Sequence, residues 1–293
     1  MPRSKPTVSV LMPFYDNGGK ENRRLYSEAL GAILAQSFRD FEIVMVASGE
    51  KGFARRMAKR DRRIRLYEFD QKPIAGKSIP LKEKLRGIIT ARNMCLGKAR
   101  GEFVAYADYD DISLPGRLGT QVRFLRGHPE VGVLGSAMLM IDSEGREIGT
   151  RSVPRTDGEI RGHMLQFNPM PQPTVMARAS VIARAGGYRI GEIPEDYDLW
   201  VRAAKITRLH SLATPLVKYR VHQGGGASNY VVELYFGSLR VKWRAMRLLS
   251  LPVRAKDVAV NLLQLFSLFF PNSIRRVALE RLRSRFVIGD GSA

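Results

Sequence analysis

The sequence predicts an α/β fold built on a mostly parallel sheet flanked by helices. Three observations predict it. Apolar, β-rich runs alternate with amphipathic helical stretches, the pattern of strands joined by helical crossovers. The apolar content of 44% over 293 residues is ample for a core and argues against disorder. The fourth apolar run ends in a carboxylate cluster, Asp108-Tyr109-Asp110-Asp111, where such sheets collect their ligands.

The elements follow in order. Thr7 to Pro13 is a short apolar run broken by proline, a buried strand. Leu25 to Gln36 sets Leu25, Leu30, Ile33 and Leu34 at helical spacing. Phe41 to Ala47 is a second strand that stops at Ser48-Gly49. Phe53 to Arg63 is a basic helix, and Ile64 to Phe69 alternates as a third strand. Residues 70–82 carry Pro73, Gly76 and Pro80 and read as a loop. Leu85 to Ala99 is a helix stopped near Gly101, and Phe103 to Ala107 is the fourth strand. After Pro115 a helix runs to about Gly127. Val131 to Ile141 and Thr174 to Ala177 are further strands, with a turn at Asp142-Ser143-Glu144-Gly145. Asp198 opens a helix through Ala203, and Thr214 to Val221 is a late strand. Right-handed crossovers would bring the loops after Pro13, after Ala47 and at Asp108 to one sheet edge.

Side chains alternate along an extended chain, so Asp108 and Asp110 can point the same way. Two carboxylates held that close repel unless a cation lies between them. Oxygen-only ligands suit Mg²⁺ or Mn²⁺, which would in turn hold a diphosphate. The competing reading is an acidic turn in which Asp110 or Asp111 caps the next helix.

Net charge is +20 with a pI near 10.5, which favours an anionic partner: nucleic acid, an anionic membrane or a phosphorylated substrate. One cysteine, Cys95, excludes a disulfide framework or a cysteine zinc site and reads as a small core residue. No secretory leader pattern and no run of about 20 apolar residues is expected to act, so a cytoplasmic setting fits. From residue 230 the chain changes character. Eleven Lys or Arg stand against four acids, interleaved with Trp243, Phe266, Phe269 and Phe270. Val258 to Phe270 is apolar nearly all round, and Ile274 to Val287 is basic and amphipathic. Such helices either lie in an anionic membrane surface or pack on the preceding domain with a solvated basic face.

The motifs, in order, resemble the family 2 glycosyltransferases over roughly residues 7–222. Val8 to Asp16, Gln36 to Val44, Ala91-Arg92-Asn93, Asp108 to Asp111, Gly186-Gly187-Tyr188 with Glu195-Asp196-Tyr197-Asp198-Leu199-Trp200, and Tyr219-Arg220-Val221-His222 carry the resemblance. It implies a GT-A fold with a Rossmann-like sheet over residues 1–225, while the basic helical extension over 230–293 is read from its composition. It implies inverting transfer of a sugar from a nucleotide-diphosphate donor to an acceptor hydroxyl on a saccharide or lipid-linked saccharide. The setting would be surface polysaccharide or glycolipid synthesis on the inner face of the plasma membrane. Asp110 would ligate Mg²⁺ or Mn²⁺, with Asp108 on the ribose or metal shell and His222 on the metal or phosphate. Asp111 would sit behind them. Asp196 would be the base that takes the acceptor proton, with Glu195 as its fallback. Without the resemblance that pair reads as helix N-terminal charge. Pro13, Tyr15, Asp16, Ser48, Arg92 and Asn93 would line the donor nucleotide and diphosphate.

Two departures from the family pattern matter. Where relatives show Asp-Asp-Gly-Ser, this chain has Ala47-Ser48-Gly49-Glu50, so the base-reading acid is missing. Ser48, Asp16 or Glu50 would substitute, and the donor base stays open. Gln172 stands where many relatives carry histidine; it can hold an acceptor but not shuttle a proton. The competing functions are a nucleic-acid or anion binder using the basic face, for which no helix-turn-helix, RRM or zinc-finger pattern exists, and a transferase fold that binds donor without turnover.

Overall fold

The computed structural model describes residues 5–70, 81–221 and 230–270. The expected alternation is present. β1 (Val8–Asp16), α1 (Lys20–Leu34), β2 (Phe41–Gly49), α2 (Lys51–Ala58), β3 (Ile64–Glu68), α3 (Leu81–Lys98) and β4 (Phe103–Tyr106) follow one another. β1 pairs in parallel with β2 and β4, and β2 with β3. The chain continues through β5 (Ile112–Ser113), α4 (Arg117–Gly127), β6 (Val131–Ile141), β7 (Glu147–Arg151) and α5 (Asp157–His163). A 3-10 turn at Gln172–Thr174 leads to β8 (Met176–Arg178), α6 (Ala179–Arg184), α7 (Glu195–Ala204) and β9 (Arg208–Arg220). Two helices, α8 (Val231–Leu249) and α9 (Ala255–Ser267), end the described chain. Among the described residues the strands form one sheet in the order β3-β2-β1-β4-β8-β6-β9-β5, with β7 on β6.

Period-2 alternation decides which face each strand residue serves. Leu11, Val44, Val46, Val104 and Tyr106 enter a core with α3 and α7. Their neighbours Val10, Met12, Ile43, Met45, Phe103 and Ala105 enter the opposite core, against α1, α2 and α4. Because helices cover both faces, the central strands are apolar on both sides, as parallel sheets require. Cys95 lies in the first core, and burial pushes its thiol up to about 12.

The structure moves several expected boundaries. The sheet is parallel from β3 to β4 and again between β6 and β9, while β8 runs antiparallel to both β4 and β6. The late strand begins at Arg208, six residues before Thr214, because β6 offers it a partner along its length. Gln172–Thr174 is a 3-10 turn, so the strand expected from Thr174 starts at Met176. The helix expected from Asp198 starts at Glu195, and its first turn holds Glu195, Asp196 and Asp198, where the helix dipole favours acids. The loop expected through residue 82 ends by Leu81, where α3 starts. Residues 71–80, His222 and the basic helix expected from Ile274 to Val287 lie outside the described residues.

α8 is docked on the body. Gly237 faces Ile193 so closely that a Cβ there would lie 2.1 Å from the Ile193 carbonyl oxygen. α9 is tied down by amides: Asn261 Nδ2 donates to Leu165 O at 2.8 Å and Gln264 Nε2 to Gln166 O at 2.9 Å. No described helix is long and apolar enough to cross a membrane.

Candidate active site

The carboxyl ends of β1, β2 and β4 lie on one edge. Parallel register sets Tyr15 beside Ser48 and Asp16 beside Gly49. Gly49 has φ +79°, and a Cβ there would lie 2.2 Å from the Asp16 carbonyl oxygen, so only glycine fits this approach. Asp16 is buried; Arg23 Nε donates to its carboxylate at 3.0 Å, and Gly18 N at 2.9 Å. Arg23 also binds Glu50. The two acids expected to replace the missing base-reading residue therefore share one arginine, a partner that sequence reasoning missed. Ser48 is buried, and Pro13 and Tyr15 are half-buried on the same edge.

Just past β4 stands the acid cluster. Asp108, Tyr109 and Asp110 are half-buried and Asp111 is buried. None of them caps the next helix: β5 intervenes, and α4 begins after Gly116 without a side-chain cap. Asp111 Oδ1 instead accepts from Arg220 N at 2.9 Å. Burial raises the Asp108 carboxyl; the Arg92 charge opposes this and the Asp110 charge reinforces it. Burial also drives Asp111 well above the carboxylate range, with Asp110 and Asp108 adding to it. This crowding is what a divalent cation would relieve, so the oxygen-rich cluster fits Mg²⁺ or Mn²⁺. Among the described residues no group of three or more His, Cys, Asp or Glu is placed to hold a metal ion.

Two buried arginines hold the cluster from behind. Arg117 Nη2 donates to Tyr106 O at 2.9 Å and Nη1 to Ser113 Oγ at 2.8 Å; burial lowers its pKa to about 10. Arg220 Nε donates to Asp110 O at 3.1 Å and Nη2 to Glu28 on α1 at 3.0 Å. Burial is the property that identifies both, and no spacing in the sequence reveals it.

Arg92 on α3 joins this cluster to a second one. One Nη meets Asp108 Oδ1 at 3.4 Å, and the other binds Glu195 at the start of α7. Its guanidinium also stands 5.6 Å from the Tyr188 ring centroid. With its amide oxygen toward Arg92, Gln172 accepts from Nη2 at 2.7 Å and Nε at 3.1 Å, and its nitrogen donates to Tyr188 Oη at 2.8 Å. Gln172 is thus a positioning group. Asn93, expected on the nucleotide, clamps the glycine loop: Nδ2 donates to Tyr188 O at 2.8 Å and Oδ1 accepts from Tyr188 N at 2.9 Å.

Asp196 follows Glu195 in the same first turn. Asn168 Nδ2 donates to its Oδ2 at 2.8 Å, and Tyr197 N donates to Oδ1 at 2.8 Å. Burial, and then the neighbouring Glu195 charge, push its carboxyl up to about 7. That value suits a group that accepts a proton near neutral pH. Asp198, buried beneath, is bound by both Arg202 and Arg244. The fold therefore brings Arg92, Asp108, Gln172, Tyr188, Glu195 and Asp196 into one cluster. It adds Asn168 and Arg244, which no motif announced.

Three comparisons with known proteins bear on this site. The family model described as Glycosyl transferase family 2 matches residues 9–177. The chain is 32% identical over 202 residues to the putative glycosyltransferase EpsE of Bacillus subtilis, covering 68% of this chain and 67% of that one. It is 29% identical over 227 residues to the amylovoran biosynthesis glycosyltransferase AmsE of Erwinia amylovora, covering 75% and 78%. Among solved structures, S. aureus TarS 1-349 in complex with UDP-GlcNAc superposes with a TM-score of 0.63 at 19% identity, covering 90% of this chain and 76% of that one. That last likeness concerns the fold alone.

Proposed function

The chain belongs to glycosyl transferase family 2, and we propose that it moves a sugar from a nucleotide-diphosphate donor to an acceptor hydroxyl by single, inverting displacement. The observation that carries this reading is Asp196, a half-buried carboxyl pushed up to about 7 at the start of α7 and linked through Glu195 and Arg92 to the Asp108 cluster. Asp196 takes the acceptor proton as the hydroxyl attacks the donor's anomeric carbon. Asn168 and the Tyr197 amide orient it, and the Glu195 charge raises its carboxyl. Arg92 places positive charge between the clusters, beside the diphosphate that leaves. Asp110 and Asp108 would hold Mg²⁺ or Mn²⁺, and the diphosphate would complete its ligands. When bound, that ion neutralises charge developing on the leaving group. Pro13, Tyr15, Asp16 and Ser48 would line the nucleotide.

The setting we infer is surface polysaccharide or glycolipid synthesis. A relative named for amylovoran biosynthesis supports it, and a structural neighbour bound to UDP-GlcNAc supports a nucleotide-sugar donor. The domain of residues 1–225 performs the chemistry, and the extension from 230 holds it at an anionic membrane surface on the cytoplasmic side. Exposed Phe236, Trp243, Leu262, Phe266 and Phe269 among Arg240, Arg247 and Lys256 support that attachment.

The test is a thermal-shift panel of UDP-, GDP-, dTDP- and CMP-sugars, with and without Mn²⁺, on wild type and Asp110→Ala. A metal-dependent shift with one nucleotide, lost in the variant, is expected; no shift with any donor would overturn the donor site. For the membrane, sedimentation with phosphatidylglycerol vesicles should exceed that with phosphatidylcholine and drop in the Phe266→Asp, Phe269→Asp double variant. Unchanged sedimentation would remove the extension's role.

A further inference from the structure

The carboxyl ends of β1, β2 and β3 lie side by side, and strand alternation gives this edge two sides. Tyr15 has the parity of Leu11, and Ser48 that of Val46, so both belong to the side that faces α3. Phe69, just past β3, packs on that same core. Register sets Tyr15 beside Ser48. Ala47 lies beside Glu68, and Phe69 N donates to Ala47 O at 3.1 Å, so the next step of the register brings Phe69 beside Ser48. A ring, a hydroxyl and a second ring thus form a row across three strands.

The acids at these strand ends go to the other side. Asp16 has the parity of Met12 and Phe14, which pack in the core of α1 and α2. Its Oδ1 accepts from Gly18 N at 2.9 Å and its Oδ2 from Arg23 Nε at 3.0 Å. Arg23, on α1, also binds Glu50. Arg55 of α2 grips Glu68 through two bonds of 2.8 Å, and Lys51 of α2 pairs with Asp70. Four carboxylates therefore stand near the row, each engaged by a cation of α1 or α2.

The two ways of holding a base leave different signatures. A fixed carboxylate accepts an N–H and rejects an edge that lacks one. Uracil and cytosine have rings of equal size and opposite edges: uracil offers N3–H beside a carbonyl, cytosine a bare N3 beside an amino group. A hydroxyl donates or accepts and fits both. An aromatic side chain meets the π-face, which every base has.

We propose that this row holds the donor's base by its ring face, on Tyr15 and Phe69, with Ser48 touching the edge without choosing it. Uracil and cytosine are then taken alike, and ring area is the selector that remains. The proposal rests on the reading of this edge as the site of a nucleotide-diphosphate donor, and it adds Phe69 to that site.

Calorimetric titration of the full chain with UDP, CDP, GDP and inorganic pyrophosphate, each with Mg²⁺, is the test. UDP and CDP should bind within about fivefold of each other, and GDP at least as tightly. Phe69→Ala should weaken all three nucleotides about fivefold or more and leave pyrophosphate unchanged. Ser48→Asp supplies a fixed acceptor and should make UDP about tenfold or more tighter than CDP. Near-UV circular dichroism checks that both variants fold, and the wild-type comparison of UDP with CDP needs neither. A larger wild-type gap between UDP and CDP, or GDP weaker than both, would overturn the proposal. So would unchanged nucleotide affinities in folded Phe69→Ala, or equal UDP and CDP binding in folded Ser48→Asp. Those results remove the base row and leave the donor site standing, because the diphosphates still bind. Failure of every diphosphate to bind, pyrophosphate included, overturns the donor reading and the row together.

Discussion

Two acidic clusters meet across Arg92, each with three carboxylates, and the fold treats them oppositely. At Asp108, Asp110 and Asp111, burial and mutual repulsion raise two of the three groups, while Arg117 and Arg220 mainly bind backbone. At Glu195, Asp196 and Asp198, arginines bind the outer two, Arg92 on Glu195 and Arg202 with Arg244 on Asp198. The middle carboxyl is pushed up to about 7. The first cluster has negative charge in excess and suits a cation. The second has a single group singled out for a proton. Equal acid content thus yields different chemistry, because partners and burial decide which carboxylates stay charged.

The strongest way to break this contrast is Asp196→Asn. Turnover should fall about 10²- to 10⁴-fold while donor still raises the melting temperature; a variant with near-normal turnover would remove the base from this position. Asp110→Ala should act on the other cluster alone. It should abolish the metal-dependent part of donor stabilisation, worth about 2.7 kcal/mol at ligand a hundredfold above Kd, and a retained Mn²⁺-dependent shift would contradict the cation reading. Next comes the brace. Arg244→Met removes one of the two cations on Asp198 and the bond from Arg244 Nη2 to Glu192 at 2.7 Å. Urea unfolding should show a loss of about 1–3 kcal/mol, reduced from the fully buried case because Arg244 is partly solvated and Arg202 remains. Gly237→Ala should lower kcat more than KM, since its Cβ would displace Ile193 next to the Pro194–Asp196 turn.

The smallest effect sharpens the contrast best. A base with its carboxyl near 7 must lose its proton to act, so kcat/KM should rise with pH through about 7 and then level. Glu195→Gln removes the neighbouring negative charge that helps raise Asp196 and leaves Arg92 to favour its anion. Both changes act downward, so the rising limb should move to lower pH by roughly one unit. A limb that stays in place would show that Glu195 does not set the base.

Much of this was legible in the chain itself. Alternating apolar runs located β1 to β4, since a strand buried on both faces needs an uninterrupted apolar run. The ordered motifs located both acidic clusters and Arg92. Short elements were less legible: β5 and β7 have too few residues for any period to show, and α5 went unmarked although Thr156 and Glu159 form a capping box at its start.

The sequence by itself determined the fold class, the sheet edge that gathers the acids, and the family, because periodicity and motif order are local properties of a chain. The resemblance put the proposed base at Asp196, and tertiary structure alone decided how the three acids differ in burial and partners. Glu195, Asp196 and Asp198 are nearly interchangeable as letters, and their roles come from Arg92, Asn168, Arg202 and Arg244. Arg92 and Asn168 reach them from 103 and 28 positions away, and Arg244 from 46. Charge is written in the sequence, but its desolvation and its partners exist only once those distant segments are packed together.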